Sequence, residues 1–230
     1  MSALQRRYRR LDPTTLVVLL LTVMGYPALR ASGLIPVPET GTRTEWWLFW
    51  LIVAIGHWTC FALVAFSLRR SGTPWSTIGV DWYWLRSRWR WLAAVVGGLV
   101  VAAIVAPPIY YGGELPLRDG LFPLQPKSTA ERLFWILGGG VTAGVVEETL
   151  FRGFALTRLG RLLGSPWLAL PVTMVAFVFL HGSPPNLAIA LNFAVVGAVF
   201  GVVFILMRCR RLEVLILVHA AVNVLYIFLP

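Results

Sequence analysis

Apolar residues run along this chain in long unbroken blocks, with little of the alternation that marks a half-buried strand or surface helix. Trp46–Leu68, Trp91–Tyr111, Leu162–Leu180 and Asn186–Met207 hold no Asp, Glu, Lys or Arg, and each is near the ~20 residues an α-helix needs to cross a bilayer. Shorter or interrupted blocks at Pro13–Leu29, Leu133–Val146 and Val214–Pro230 read as three further crossings. The pattern predicts an all-α fold, a polytopic membrane helical bundle of about seven transmembrane helices. Connections are short and punctuated by Gly and Pro, as at Gly164-Ser165-Pro166 and Gly182-Ser183-Pro184-Pro185. The longer ones are Arg30–Glu45, Arg69–Arg90 and Gly112–Arg132. The second of these mixes Trp75, Trp82, Trp84 and Trp89 with arginines, the composition of a segment lying at the lipid headgroups. No internal repeat, heptad pattern or low-complexity segment interrupts this layout.

Composition agrees: 58% of the residues are hydrophobic and 13% charged, with a mean hydropathy of +0.75, which excludes an ordinary soluble domain. A net charge of +10 changes the picture only through its placement. Arg6, Arg7, Arg9 and Arg10 precede the first span, and Arg69, Arg70, Arg86, Arg88 and Arg90 follow the second. Arg152, Arg158 and Arg161 come at the end of the fourth, and Arg208, Arg210 and Arg211 after the sixth, so 15 of the 20 basic residues fall on alternate connections. This is the positive-inside asymmetry; it puts the N-terminus in the cytoplasm and the C-terminus outside. Basic charge here sets topology, and no nucleic-acid partner is expected. Cys60 and Cys209 make neither a disulfide framework nor a metal motif. The first span lacks a small-residue cleavage site after a short apolar core and is expected to be retained.

Polar residues inside the spans carry the chemistry. One charged side chain near mid-bilayer costs about 2.5–3.5 kcal/mol even on a lenient scale, yet Glu147, Glu148 and Arg152 fall within six residues. Glu148 and Arg152 are spaced i, i+4 and share a face, so they can pair, while Glu147 points about 100° away toward another neighbour. His181 closes the fifth span, and His219 and Asn223 share a face of the seventh. With the turn at Gly164, Glu147 and His181 are each seventeen residues from it, about 25 Å along antiparallel helices and therefore level. His57, beside Trp58 in the second span, reads as an ordinary membrane histidine bonded to a neighbouring carbonyl.

A buried carboxylate, two imidazoles and an amide can activate water. Glu147 would act as general base with a histidine sharing the proton, while His219 and Asn223 stabilise an oxyanion. Alternatively Glu147, His181 and His219 could ligate Zn²⁺ and leave a position open for water. No serine lies mid-span, Asp12, Asp81 and Asp119 lie outside the spans, and H-E-x-x-H is absent. Serine and aspartyl dyads are thereby excluded.

Glu147-Glu148-Thr149-Leu150-Phe151-Arg152 resembles the EExxxR signature of the CAAX prenyl protease and bacteriocin-processing (CPBP, or Abi) family of intramembrane endopeptidases. Phe177–His181 is similar to its FxxxH motif and His219–Asn223 to its HxxxN motif, with Phe193, Gly197 and Gly201 resembling the glycine-bearing helix between them. The resemblance covers Glu131–Pro230. It implies a catalytic helical core at 131–230, preceded over 1–130 by transmembrane helices and an interfacial loop. It further implies that Glu147 with His181 activates water, that His219 and Asn223 line the oxyanion or metal site, and that Glu148 and Arg152 support them. The cofactor is then none or Zn²⁺. The expected partner is a membrane-associated protein or peptide, with or without a prenyl group, in a bacterial plasma membrane. Two other readings stand beside hydrolysis: a proton-coupled transporter built on the same buried Glu and His, and a relative acting in bacteriocin immunity or secretion without proteolysis.

Overall fold

The computed structural model describes residues 12–34, 42–80, 126–181 and 187–226. Among the described residues every regular element is helical. Six helices follow in order: α1 (Pro13–Ala31), α2 (Arg43–Arg70), α3 (Thr129–Leu163), α4 (Pro166–Leu180), α5 (Leu187–Leu206) and α6 (Leu212–Tyr226). Three of them, α1, α2 and α3, are long and apolar enough to cross a membrane, and α4, α5 and α6 contain shorter apolar helices. The span expected at Trp91–Tyr111, the arginines before Leu11 and at 86–90, and the turn at Gly182–Pro185 lie outside the described residues.

Helix ends follow local chemistry. Asp12 caps α1 by accepting from Thr15 N, and Thr42 caps α2 through Glu45 N. Ser128 and Glu131 form a capping box at the start of α3, where Glu131 also takes Arg43 Nη1 at 3.0 Å. Gly164, at φ +82°, stops α3, and Pro166 opens α4 at a position where its missing N–H costs nothing.

One feature of α3 lies beyond what residue periodicity expresses: it is π-wound over Trp135–Val141 and again over Glu148–Leu156. Such widened turns change the direction of every side chain that follows, and they recur at functional sites. The second π segment begins at Glu148 and is buried along its whole length.

Around this helix the others gather. α6 lies along α3, α2 crosses it near Glu147, and α4 packs on both α5 and the end of α1. At Gly144 a side chain would collide with α6: a Cβ there would fall 2.8 Å from the Ile216 carbonyl oxygen and from Ala220 N. The glycine lets the two backbones touch, which is how membrane helices gain packing without a hydrophobic drive between them. Phe151, Phe154, Phe177, Phe204, Leu150 and Ile78 fill the interior. Leu16, Val17, Leu20, Met24, Leu48, Leu51 and Ile55 are exposed along α1 and α2, the arrangement expected where lipid is the solvent.

Two arginines assigned to loop charge are internal instead. Arg152 and Arg158 are 3% and 2% exposed. Arg158 Nη2 donates to Thr77 Oγ1 at 3.1 Å, tying α3 to the turn after α2. They contribute to packing rather than to the headgroup charge asymmetry.

Candidate active site

The second π segment and α6 meet at a cluster of ionisable groups. Glu147, Glu148, Arg152 and His219 are all buried. Arg152 Nη1 donates to Glu148 Oε1 at 3.0 Å, and Arg152 Nη2 donates to the Gly197 carbonyl of α5 at 3.3 Å. The guanidinium carbon also lies 4.3 Å from the centre of the Phe177 ring and 5.4 Å from that of Phe200, where the ring faces stabilise a desolvated cation. The i, i+4 pair expected from spacing therefore forms although the helix there is π-wound, and a carbonyl and two rings share the cost of burying it.

Glu148 does more than pair with Arg152. Its Oε1 lies 2.7 Å from His219 Nδ1, so a carboxylate expected to face a different side of the helix also holds the imidazole of α6. With Nδ1–H donated to Glu148, the ring plane of His219 is set, and Nε2 is presented 3.9 Å from Glu147 Oε2. The two glutamates thus flank one histidine. Glu147 Oε2 and Glu148 Oε2 are buried without a hydrogen bond.

His181 stands at the end of α4 and donates from Nδ1 to the Phe177 carbonyl at 2.9 Å, leaving Nε2 as its acceptor. Its ring stacks on Phe193 of α5, with centroids 4.0 Å apart. Asn223 lies one turn beyond His219 on α6, and its backbone carbonyl accepts Trp135 Nε1 at 3.2 Å, which fastens this turn to α3.

His57 is the correction. Instead of serving only a carbonyl, it places Nε2 3.2 Å from Glu147 Oε1, while Nδ1 lies 2.9 Å from the Val53 carbonyl and 2.8 Å from the Tyr26 hydroxyl. Arg30 is a second group whose role spacing conceals. Assigned to a loop, it donates from Nε to the Leu180 carbonyl at 3.1 Å, capping the helix end that carries His181. Polar residues in apolar spans were the available signal for Tyr26 and His57. Their partners are 31 and 90 residues apart along the chain, so no spacing rule connects them.

Glu147, His181 and His219 are the residues a zinc ion would need. Among the described residues no group of three or more His, Cys, Asp or Glu side chains converges as metal ligands do. A histidine held through Nδ1 by a carboxylate, as His219 is by Glu148, is chemistry that zinc sites also use.

Residues 129–225 match the family model described as type II CAAX prenyl endopeptidase Rce1-like. Comparison with curated proteins gave no match, and comparison with solved structures gave none. The match spans the π-wound helix, both motif histidines of α4 and α6, and Asn223. It supports intramembrane protease activity, a hydrolase acting on a membrane-associated protein, and with the apolar helices it supports an integral membrane protein. Over residues 129–225 the chain is thus similar to Rce1-like type II CAAX prenyl endopeptidases, a match consistent with the CPBP family.

Proposed function

We propose that this protein hydrolyses a peptide bond near the C-terminus of a membrane-associated, CAAX-type prenylated protein, using a water activated by Glu147 and histidine. The observation that carries this reading is the state of Glu147 Oε2: a buried carboxylate oxygen without a hydrogen bond, 3.9 Å from His219 Nε2. Leaving such an atom unsatisfied is costly, and a separation too long for a direct bond suits a third, reacting partner held by both groups.

In this mechanism Oε2 takes a proton from water as its oxygen attacks the scissile carbonyl. His181 shares that proton through Nε2. His219, carrying a proton on Nε2, donates with the Asn223 amide to the oxyanion that forms. Collapse breaks the C–N bond, and Glu147 returns the proton to the leaving amine, so one water is consumed and no covalent enzyme intermediate arises. Glu148 and Arg152 keep His219 turned inward. The arginine distribution supports a cytoplasmic N-terminus.

The test is cleavage of matched prenylated and unprenylated CAAX peptides by full-length protein reconstituted in lipid, with Glu147→Gln as control. Cleavage that needs the prenyl group and is lost in the control supports the reading. Equal cleavage of both peptides removes the prenyl specificity, and full activity of the control overturns the mechanism.

A further inference from the structure

We propose that His57, itself held by Tyr26, is a positioning residue for Glu147, so that helices α1 and α2, outside the Rce1-like segment, complete the active site. The inference rests on the protease reading above. His57 and Tyr26 are 5% and 7% exposed, and their rings meet edge to face at 5.6 Å between centroids. Contact between them depends on Gly56: a Cβ there would lie 2.9 Å from the Tyr26 hydroxyl oxygen, and no larger residue fits unless the ring moves.

A histidine that merely filled the core would be satisfied by the Val53 carbonyl on its own helix. Here the opposite nitrogen is aimed across the bundle at Oε1 of Glu147. Nδ1 is held between the Val53 carbonyl and the Tyr26 hydroxyl, and Nε2–H donates to Oε1 of an ionised Glu147. The terminal torsion of a glutamate is broad and roughly two-fold, so a donor on one oxygen fixes the carboxylate plane. With Oε1 engaged by His57, Oε2 is the oxygen left for His219 and water. His57 thereby decides which oxygen reacts and where it points, and a misplacement of about 1 Å at a reacting group costs about 10²-fold in rate.

The experiment compares His57→Phe, His57→Gln and Tyr26→Phe in the full-length protein with the prenylated peptide. His57→Phe removes the donor and is expected to lower kcat about 10²-fold with KM unchanged. In His57→Gln an amide N–H can replace Nε2–H, and kcat is expected to stay within about tenfold of wild type. Because that glutamine lacks Nδ1, Tyr26→Phe should lower kcat in the wild-type background and not in the His57→Gln background, a comparison that decides the matter even if His57→Phe does not fold. Glutamine no better than phenylalanine, a loss confined to KM, or equal losses from Tyr26→Phe in both backgrounds would overturn the proposal while leaving the protease reading intact. A wild-type protein that cleaves no peptide overturns both.

Discussion

His219 places Nδ1 2.7 Å from Oε1 of Glu148, the same oxygen that accepts from Arg152 Nη1 at 3.0 Å. One carboxylate oxygen thus joins the guanidinium of its own helix to the imidazole of α6. The second glutamate of the EExxxR-like motif therefore orients a histidine as well as balancing an arginine.

Arg152→Ala should reduce stability by about 3–5 kcal/mol, because it leaves the Glu148 carboxylate buried without its cation. Arg152→Lys should recover only part of this. Lysine cannot reach Glu148 and the Gly197 carbonyl together, nor lay a flat guanidinium over Phe177. Thermal unfolding in detergent measures the effect. Wild-type stability in the alanine variant would mean that the pair is not buried.

Glu148→Gln keeps shape and an acceptor oxygen but removes the charge that holds His219. The expected outcome is a fall in kcat of about 10²-fold, the scale of a mispositioned acid, base or oxyanion donor. KM should be unchanged, since the substrate does not touch Glu148. A change in KM alone would count against an orienting role. Glu147→Ala, His181→Ala and His219→Ala should each cost at least about 10²-fold in hydrolysis without unfolding the protein.

Gly144→Val should act through packing. Even the first added carbon meets the α6 backbone at 2.8 Å, where no flexible side chain can yield, so about 1–3 kcal/mol of stability should be lost to strain. Activity should fall further than in a surface variant of equal stability, because α6 carries His219 and Asn223. Melting temperature and turnover measured on the same preparations separate the two effects.

Chelator treatment should leave hydrolysis unchanged, in line with the proposed metal-independent water activation. Activity lost to chelator and restored by added Zn²⁺, with stoichiometric zinc in the purified protein, would replace that mechanism and leave the hydrolase assignment in place.

Charge cost and spacing are enough to find Glu147, Glu148 and Arg152. No lipid-facing surface tolerates three ionisable groups in six residues, and i, i+4 neighbours meet on any nearly regular helix. The apolar blocks likewise reveal helices α1 to α6, because a backbone in lipid has few ways to satisfy itself. Cross-helix contacts obey no such local rule. That His57 reaches Glu147, that Glu148 holds His219, and that Arg30 caps the helix bearing His181 depend on how helices rotate and how closely they approach. Those in turn depend on the π-wound turns of α3 and on glycines at 56 and 144. Residues 90 or 150 positions apart become neighbours only when the bundle closes, and the free energy that selects one rotation comes from packing summed over many side chains.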